Sequence, residues 1–563
     1  MSAAIYGVDL GTTFTKCALV EGEKVRVFDL DVDISELGQA MPTRLRGLRS
    51  VVTVANVRGQ RVAYVGNRAI QSRERFKRQE TPHYAFEEAK LWIGTDFSGA
   101  VGGDPPPWNF DGHNWNYRPE DVGALVLRAV SREVQRVGAS PLQRMVVTHP
   151  AQFDSTQQQA TRHAAALAGV EVLDLLTEPE AAAIAYSREI REDGLYLIFD
   201  LGGGTLDLVL LEIKDRQFRS VCKNGSKIGG RDFDRAILDV MIAGCTSYTN
   251  DVFTSDMLGA VGEQLWMAHA ERVKRQLNDA AVPAEKVLKF DIPIDSEYAL
   301  SIGAISDPLP DKFTLAVSRE DIESDRSASN LISGSRDLVT NTLRDASVSW
   351  SDIRGIISVG GSSKMLAVGA LLDELCSGRV LRNLDPDTVV AQGAAIYAAS
   401  LSGRSAQAVV PDDLIKRTPY RGTLFRSVGI RVEAEDGSGR VVSLVKRGTA
   451  TPLEKPYEKQ FTTSKPNQDH IVIQLVEGES PDPDDCDNNL IGECRIDGFE
   501  PSPKPQKVTV GVQIEGNDTK RIIVTIAGKS HEKLIEFDPR KVLERRDVEV
   551  RREFLDTLSL PTE

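Results

Sequence analysis

Two short segments of the chain combine an aspartate, a glycine turn and threonine in a way that suits phosphate chemistry. Residues 6–20 read YGVDLGTTFTKCALV and residues 198–211 read IFDLGGGTLDLVLL, so each has an apolar strand, Asp-Leu-Gly, a turn and a second apolar strand. Glycines let backbone N–H groups approach a phosphate closely, and successive N–H groups in such a turn form an anion-binding nest. A single copy is typical of an ordinary tight hairpin. Because the pattern occurs twice, the sequence predicts a pair of facing phosphate-binding hairpins.

Both hairpins also carry side chains that suit a metal ion and its water. Asp9 and Asp200 stand at strand ends, where their carboxylates can hold the water shell of a magnesium ion. Threonine hydroxyls beside the glycines add hydrogen-bond donors. The predicted phosphate-binding residues of the two turns are Gly11, Thr12, Thr13, Gly202, Gly203, Gly204 and Thr205.

Two further segments extend this candidate site. Residues 176–187, LTEPEAAAIAYS, place Glu178 and a proline at the start of a small-residue helix, which is a normal helix-start signal. Residues 356–366, IISVGGSSKML, form a strand that runs into Gly360, Gly361 and a helix. That shape favours the close approach of a sugar or a phosphate to the start of the helix.

A helical pattern over residues 263–278 has one polar and one apolar face. Leu265, Val273 and Leu277 belong to the apolar face. The residues of the polar stripe, spaced at i, i+3, i+4 and i+7, are Glu271, Lys274, Arg275 and Asn278. Such a stripe is also typical of a solvated surface with a Glu–Arg pair, and periodicity alone favours that interpretation.

Alternating strands and helices are needed to position these segments. Over residues 1–403, apolar runs such as 195–201 alternate with helical patterns, which indicates an α/β domain. Residues 404–417 are small and polar and predict an interdomain linker. Residues 418–540 alternate with period two and predict an all-β sandwich. Residues 541–563 predict a short charged helical tail.

Length, charge and cysteine content exclude several classes of protein. The chain has 563 residues, of which 41% are hydrophobic and 27% charged, so several domains with buried cores are expected. The net charge of −14 argues against nucleic acid as the principal partner. No run reaches the roughly 18 apolar residues of a membrane span. Six scattered cysteines without a C-x-x-C pair argue against a disulfide scaffold or zinc site, and predict a cytoplasmic protein.

In this order, the segments resemble the DnaK-type seventy-kilodalton heat-shock chaperones, whose ATPase domain has an actin-like duplicated fold. DLGTT at Asp9–Thr13 and DLGGGTLD at Asp200–Asp207 resemble the two phosphate motifs of that family. VGGSSKM at Val359–Met365 resembles its adenosine motif. EPEAAAIAY at Glu178–Tyr186 and DPDTVVAQGAAIYAA at Asp385–Ala399 resemble its two connecting helices. KIGGRDFD, from residue 227 to residue 234, resembles a further family signature.

The resemblance implies roles for these residues. The catalytic residues, which would position Mg²⁺ and the attacking water, are Asp9, Glu178, Asp200 and Thr205. Glu271 and Lys274 would contact ribose, Arg275 would stack on adenine, and Asn278 stands where the family usually has serine. The other implied nucleotide-binding residues are Gly229, Gly230, Gly360, Gly361, Ser362, Lys364 and Asp387. The implied cofactors are ATP or ADP with Mg²⁺, and K⁺ is a further candidate ion.

The C-terminal part of the chain, with the segments SVGIRVEAEDG, FTTSKPNQDHIVIQLVEGE and DNNLIGECRIDGFEPSP, resembles the family's peptide-binding β-sandwich. Ile471 and Ile473 resemble its central apolar pocket, which predicts binding of unfolded or extended polypeptide. Membership of the β-sandwich core remains an equal alternative for both residues. The family's helical lid has no counterpart in the sequence, so a divergent lidless member is expected.

Two positions depart from the family pattern. The lysine that reaches the γ-phosphate in the family is replaced by Ile70, and Arg68 is a nearby candidate substitute. An aliphatic side chain donates no hydrogen bond, so we expect slow hydrolysis. The family's relay arginine after Pro150 is replaced by Gln158, which brings no charge to pair with a carboxylate.

The sequence leaves two classes of function open. The first is an ATP-dependent chaperone with weak ATPase activity, served by a J-domain co-chaperone and a nucleotide-exchange factor. The second is a nucleotide-binding scaffold with little or no hydrolysis and one dedicated partner. The intact Asp9, Glu178, Asp200 and Thr205 favour the first, whereas Ile70, Gln158 and the expected absence of a lid favour the second. A sugar kinase or a filament former is disfavoured by the β-sandwich.

Overall fold

The computed structural model divides the chain into two compact units. The first comprises Met1–Tyr196, Val209–Lys223 and Thr388–Glu563, and the second comprises Leu197–Leu208 and Asn224–Asp387. The residues that the structure describes are 4–32, 44–95, 117–190, 192–214, 217–244, 259–279, 282–283, 286–293, 312–401, 422–424, 426–433, 438–485, 488–498, 500–515, 520–526, 528–537, 542–543 and 545–561. The predicted linker 404–417 lies outside these residues.

Helices and strands are named here in chain order. The strands before residue 300 are β1 (Ile5–Leu10), β2 (Phe14–Glu21), β3 (Lys24–Val27), β4 (Asp31–Val32), β5 (Arg44–Leu45), β6 (Leu48–Arg49), β7 (Val52–Val57), β8 (Gln60–Val65), β9 (His83–Phe86), β10 (Arg144–His149), β11 (Glu171–Thr177), β12 (Gly194–Leu201), β13 (Leu206–Lys214), β14 (Gln217–Ser226) and β15 (Leu288–Pro293). The later strands are β16 (Lys312–Val317), β17 (Ile353–Val359), β18 (Val380–Leu381), β19 (Gly422–Thr423), β20 (Val428–Glu433), β21 (Gly439–Val445), β22 (Ala450–Thr451), β23 (Tyr457–Thr462), β24 (His470–Glu477), β25 (Asn489–Asp497), β26 (Lys507–Ile514), β27 (Lys520–Ile526), β28 (Lys529–Leu534) and β29 (Glu536–Phe537). The α-helices are α1 (Asn67–Arg78), α2 (Ala89–Trp92), α3 (Pro119–Arg136), α4 (Ser155–Ala168), α5 (Glu178–Ala185), α6 (Gly230–Ala243), α7 (Gly259–Leu277), α8 (Arg319–Glu323), α9 (Arg326–Asp345), α10 (Leu366–Leu375), α11 (Val389–Leu401) and α12 (Arg545–Asp556).

The sheet that carries the first hairpin has the strand order β11-β10-β1-β2-β3, and β6 pairs with β2. β1 lies parallel to β10 and antiparallel to β2. All six residues of β1 are buried, which explains why its sequence is a nearly continuous apolar run. Since β1 ends at Leu10, Asp9 and the glycine turn lie at its carboxyl end.

Two helices built of small residues pass very close to one another in the first unit. A Cβ atom on Gly393 of α11 would lie 1.6 Å from the backbone oxygen of Ala181 in α5. A Cβ atom on Gly7 of β1 would lie 2.0 Å from the backbone nitrogen of Ala395. Both positions therefore require glycine, because atoms in folded proteins do not approach so closely. The segments that resemble the family's connecting helices are helical over α5 and α11.

In the second unit, an apolar cluster fixes helix α7. Val273 and Leu277 are fully buried, and they belong to a cluster with Trp266, Met241 and Leu315. The predicted apolar face of the helical pattern 263–278 therefore packs inward. A separate five-stranded sheet has the order β14-β13-β12-β17-β18, and six of the seven residues of β17 are buried.

The C-terminal strands form two sheets with the orders β21-β20-β24-β25-β29 and β23-β26-β27-β28. Alternate residues point into one shared core, as the period-two pattern predicts. Val508, Val510 and Val512 of β26 are each no more than 3% exposed and pack with Val524 of β27. This part of the chain is therefore a β-sandwich.

The charged C-terminal helix contributes apolar side chains to the core of the first unit. In and after α12, Phe554, Leu555 and Leu558 are buried in the same cluster as residues of α3. Beyond the helix, the backbone oxygen of Ser559 accepts a 2.9 Å hydrogen bond from the amide of Ala63 in β8. The tail is therefore an integral part of this core. Within the described part of the chain, no helix is both long and apolar enough to span a membrane.

Candidate functional site

The first glycine turn is held in one conformation by a neighbouring serine. The hydroxyl of Ser50 donates a 2.7 Å hydrogen bond to the oxygen of Gly11, and the Ser50 amide donates a 2.8 Å bond to the oxygen of Thr13. A Cβ atom on Gly11 would lie 2.2 Å from the oxygen of Phe14, so glycine is required here. The turn therefore has the close backbone and glycine content of a phosphate cradle.

Asp9 is buried beside this turn and faces a lysine on the neighbouring strand. It pairs across the β1–β2 ladder with Lys16, and the Lys16 Nζ atom lies 3.6 Å from Asp9 Oδ2. Thr148, at the end of β10, donates a 3.4 Å hydrogen bond to Asp9 Oδ1. The two contacts fix the orientation of the carboxylate that the sequence assigns to the metal.

Glu178 begins helix α5, and its carboxylate accepts a hydrogen bond from the Nζ atom of Lys90. The side chains of Lys90 and Glu178 are only 9% and 12% exposed. Burial raises the pKa of Glu178, the ammonium of Lys90 opposes the shift, and the charge of Asp9 adds to it. The charge of Asp9 therefore acts on Glu178, which places the two carboxylates near one another in the first unit.

Lys90 was missed by the sequence analysis. It lies on the short helix α2, between the buried residues Ala89 and Ile93. A lone lysine in EEAKLW has no spacing relation to the glycine turns, so no periodic signal marks it. Only the tertiary structure brings it to Glu178.

Ile70 and its neighbour Arg68 both lie on helix α1. Ile70 is half-buried. Burial lowers the pKa of the Arg132 guanidinium, and the charge of Arg68 adds to that shift, so Arg68 lies near Arg132. Arg132 in turn donates hydrogen bonds to the backbone oxygens of the tail residues Leu560 and Pro561.

The second hairpin lies in the second unit and is closed by its own backbone. The amide of Gly202 donates a 3.0 Å hydrogen bond to the oxygen of Thr205, and the Thr205 hydroxyl donates a 3.0 Å bond to Asp207 Oδ2. The amide of Gly230 donates a 2.9 Å bond to the oxygen of Gly202. A Cβ atom on Gly229 would lie 2.4 Å from the carbonyl carbon of Gly204. The KIGGRDFD segment therefore packs directly on this turn.

The glycine pair after β17 approaches the same turn. Gly360 has a φ of +84°, and a Cβ atom there would lie 2.2 Å from the oxygen of Leu201 and 2.7 Å from Asp200 Oδ1. A Cβ atom on Gly361 would lie 3.0 Å from Asp387 Oδ1, and one on Gly230 would lie 2.1 Å from Ser362 Oγ. The structure thus brings together the candidate residues Asp200, Gly230, Gly360, Gly361, Ser362 and Asp387.

Lys274, on the polar stripe of α7, is bonded to residues of α6. Its Nζ atom lies 2.8 Å from Asp234 Oδ1 and donates a 2.8 Å hydrogen bond to the oxygen of Gly230. Burial raises the pKa of Asp234 to about 6, although the Lys274 ammonium opposes the shift. This part of the stripe is therefore a buried polar contact against the Gly229–Gly230 segment, and the solvated-surface alternative does not describe it.

The remaining stripe residues differ in exposure. Arg275 forms a 2.8 Å ion pair with Glu271, and its side chain is 50% exposed. Asn278 accepts a 2.9 Å hydrogen bond from the amide of Leu366 and so ties α7 to the start of α10. Outside this stripe, the candidate nucleotide-binding residue Lys364 forms a 2.6 Å ion pair with Asp385.

Ile471 and Ile473 lie in β24 of the β-sandwich. Ile473 is 5% exposed and belongs to the core, and Ile471 is half-buried against the same core. Val472, between them, points the other way and is 44% exposed. Both isoleucines therefore contact the sandwich core, and Ile471 retains some exposure.

The β-sandwich contacts the start of helix α4 through a buried polar cluster. Ser155 donates a 2.8 Å hydrogen bond to Glu477, and the Lys520 Nζ atom lies 2.9 Å from the same carboxylate oxygen. Asn489 donates a hydrogen bond to Asp154, which is the N-cap residue of α4. Gln158 donates a 3.3 Å hydrogen bond to the oxygen of Phe153. The segment that follows Pro150 is thus bonded to the sandwich.

Each unit, taken by itself, offers groups that fit part of a nucleotide with magnesium. A Cβ atom on Gly11 would overlap the first turn, and one on Gly229 or Gly360 would overlap the backbone of the second turn. Glycine-rich turns of this kind let backbone N–H groups approach a phosphate closely. Asp9 and Asp200 are 7% and 6% exposed and provide the hard oxygen ligands that Mg²⁺ prefers. The fit therefore rests on backbone packing as well as on residue type.

Comparison with known proteins extends the likeness over nearly the whole chain. The family model described as Hsp70 protein matches residues 5–553. Chaperone protein dnaK of Cyanophora paradoxa is 28% identical over 561 residues, which cover 97% of this chain and 81% of that protein. Chaperone protein DnaK of Deinococcus proteolyticus is 29% identical over 567 residues, covering 97% and 80% respectively. The DnaK of Metamycoplasma hominis is 27% identical over 551 residues, covering 97% and 81%.

Proposed function

The chain belongs to the Hsp70 family, and from that premise we propose that it is an ATP-dependent molecular chaperone that binds unfolded or extended polypeptide. One observation carries the proposal. The family match runs through both glycine hairpins and through the β-sandwich, so it includes the parts proposed to bind the nucleotide and the polypeptide. Its curated relatives are named as chaperone proteins.

The nucleotide would be ATP or ADP with Mg²⁺. Asp9 and Asp200 would hold the metal through water, and the backbone amides of the two glycine turns would cradle the phosphates. Bound magnesium supplies charge neutralisation of the phosphate oxygens. Thr205 and Glu178 would orient the water that attacks, because phosphoryl transfer depends mainly on positioning and electrostatics. The buried Lys274 contact with Gly230 supports an ordered nucleoside side of the site.

The polypeptide would bind to the β-sandwich in an extended conformation. Backbone hydrogen bonds supply the affinity in such complexes, and an apolar pocket supplies the preference for side chains. Ile471 is the candidate pocket residue that keeps some exposure, whereas Ile473 supports the pocket from the core. A J-domain co-chaperone and a nucleotide-exchange factor are the proposed partners, and the cytoplasm is the proposed location.

The proposal is tested by polypeptide binding in two nucleotide states. A fluorescently labelled, reduced and carboxymethylated protein that cannot refold serves as the probe, and fluorescence anisotropy reports its binding. We expect binding with ADP and release at least about tenfold faster with Mg-ATP, which is an ordinary coupling between two sites. Asp200→Asn should lose this response. Asp373→Asn is the matched control, because its carboxylate lies in the same unit and is 53% exposed.

Two outcomes would contradict the proposal. The first is absence of binding in either nucleotide state. The second is binding that is indifferent to nucleotide while ATP is bound and left intact. The second result would identify the chain as a nucleotide-binding scaffold.

A further inference from the structure

The described part of the C-terminal tail (residues 541–563) packs in the core of the first unit. Five of its apolar side chains are each no more than 7% exposed, namely Val542, Leu543, Phe554, Leu555 and Leu558. All except the first belong to one apolar cluster that also contains Tyr6 of β1 and Leu125 of α3. The ring of Phe554 meets the ring of Tyr117 edge-on, with 5.7 Å between the centroids. The tail is therefore held by the core that supports the first sheet.

The end of the tail also pairs with the backbone of an edge strand. β8 lies at one edge of the sheet β8-β7-β9, and Ser559 forms a parallel bridge with Val62 of β8. The Ser559 amide donates a 3.2 Å hydrogen bond to the oxygen of Arg61, and the Ala63 amide donates a 2.9 Å bond to the Ser559 oxygen. Arg132 donates bonds to the backbone oxygens of the next two tail residues. The tail thus binds backbone groups that an edge strand otherwise leaves open.

A buried ion pair fixes helix α12 as well. Nη1 of Arg551 lies 2.7 Å from Oδ2 of Asp121, whose side chain is 0% exposed. The Arg118 amide donates a 2.7 Å hydrogen bond to the same oxygen, so this carboxylate also caps the start of α3. Because removal of one partner of a buried ion pair leaves the other charge uncompensated, departure of α12 would be costly.

The tail and the β-sandwich contact opposite ends of helix α4. Glu477 of the sandwich accepts a 2.8 Å hydrogen bond from Ser155, the first residue of α4. Gly169 caps the other end of this helix, and a Cβ atom there would lie 2.9 Å from Nη2 of Arg552 in α12. Both parts are therefore attached to the same helix of the first unit.

Only a short stretch of chain connects the sandwich to the tail. Phe537 ends β29, which pairs with β25 in the sandwich, and Leu543 lies in the apolar cluster of the core. The two residues are six positions apart, and six extended residues span at most roughly 20 Å. While the tail stays packed, this edge of the sandwich therefore stays close to the core around α3.

Nucleotide binding supplies too little free energy to release the tail. Exposing one fully buried leucine such as Leu555 shifts an equilibrium by about tenfold to 100-fold. Release of the tail would expose five buried apolar side chains and break the strand pairing and the ion pair together. An ordinary coupling between two sites amounts to about 5-fold to 150-fold in total. The tail should therefore stay packed whichever nucleotide is bound.

We propose that the tail keeps the β-sandwich attached to the segment Met1–Tyr196 of the first unit in every nucleotide state. This inference goes beyond the proposed function, because it states which movement the nucleotide does not cause. Nucleotide then acts on the polypeptide site through bonded contacts such as that of Ser155 with Glu477, and separation of the sandwich is not a step. The family match covers residues 5–553, so the strand pairing of Ser559 lies outside it.

Hydrogen–deuterium exchange of the full wild-type chain tests the attachment. Exchange in α12 and around Ala63 is followed without nucleotide, with ADP and with Mg-ATP, and nucleotide binding is measured in the same samples. The exchange should be slow in all three conditions and agree within about twofold. Acceleration of either segment by about tenfold or more in any condition overturns the inference. A chain that binds neither nucleotide contradicts the proposed function instead.

Cutting the connection between sandwich and tail tests whether the tail is what holds the sandwich. A recognition site for a sequence-specific protease is inserted between residues 540 and 541, so cleavage leaves the core residues unchanged. The cleaved protein should keep slow exchange around Ala63, because the tail is held by its own contacts. Its radius of gyration, from small-angle X-ray scattering, should exceed that of the uncut protein by about 10% or more in at least one of the three conditions.

The uncut insertion variant is the matched control, and its radius of gyration and exchange should equal those of the wild type. Equal radii before and after cleavage in all three conditions overturn the inference, because the sandwich is then held without the tail. Fast exchange around Ala63 after cleavage also overturns it, because the tail then depends on the sandwich for its own attachment.

Discussion

The contact between the β-sandwich and helix α4 leads to a prediction about Lys520. Its side chain is 3% exposed, and its Nζ atom lies 2.9 Å from Oε1 of Glu477, whose side chain is 7% exposed. Lys520→Met keeps most of the volume of the side chain but removes the charge. Glu477 is then left as a buried carboxylate whose remaining bond in this cluster is the one from Ser155.

The expected cost follows from the burial of both partners. Removing one partner of a buried ion pair costs about 3–5 kcal/mol, because the other charge stays uncompensated. Replacing both partners by apolar residues, as in Lys520→Met with Glu477→Leu, should cost less than about 1 kcal/mol. The exposed pair of Arg495 and Asp497, 55% and 57% exposed, is the control, and Arg495→Met should cost less than about 0.5 kcal/mol.

Hydrogen–deuterium exchange read by mass spectrometry measures the effect locally. A loss of about 3 kcal/mol should speed exchange in β24 and in the first turn of α4 by roughly 100-fold, because each 1.4 kcal/mol is a factor of ten. The double variant should restore slow exchange in both segments. The reasoning is refuted if Lys520→Met exchanges like the wild type, or if the double variant is as destabilised as the single one.

Three further predictions concern stability. Burial lowers the pKa of His163 to about 4 and Arg118 adds to the shift, so the folded state keeps His163 neutral and stability falls as the pH drops below the unfolded value of about 6.5. Between pH 7 and pH 5, His163 should lower the free energy of unfolding of the wild type by about 2 kcal/mol. Urea titrations at both pH values should therefore show a loss for His163→Gln that is smaller by the same amount. In thermal melts, Gly393→Ala should destabilise the first unit by about 3 kcal/mol or more, since the added Cβ atom would overlap a backbone oxygen. Gly369→Ala in helix α10 should be neutral or stabilising in the same melts. Leu555→Ala should lower the free energy of unfolding by about 3 kcal/mol in urea titration, because Leu555 is fully buried. The control is Val550→Ala, at a position that is 48% exposed. Equal stability of the two variants would refute the core role of the tail.

Patterns that are local in sequence predicted much of the fold. The two Asp-Leu-Gly turns lie between strands, α5 begins at Glu178, and α7 buries Val273 and Leu277. Each of these features depends on neighbours within a few residues, so periodicity and turn chemistry are sufficient to find them. The β-sandwich was predicted for the same reason, because the alternation of apolar and polar residues shows which face of each strand points inward.

The sequence did not predict the long-range contacts between charged residues. Lys90 meets Glu178, and Lys520 meets Glu477 and Ser155, through the folding of elements that are far apart in the chain. No spacing rule connects such residues, since the contact depends on tertiary packing. The burial of Leu555 was missed because charged residues dominate the sequence of α12.

Single-turnover hydrolysis of radiolabelled Mg-ATP tests the central claim most directly. The wild-type chain should convert bound ATP to ADP and inorganic phosphate, and chelation of Mg²⁺ should stop the reaction. Asp200→Asn should be at least about 100-fold slower, because it removes one of the two carboxylates proposed to hold the metal. Asp373→Asn should match the wild type. ATP that remains bound but intact in the wild type, or hydrolysis by Asp200→Asn at the wild-type rate, would contradict an ATP-driven chaperone.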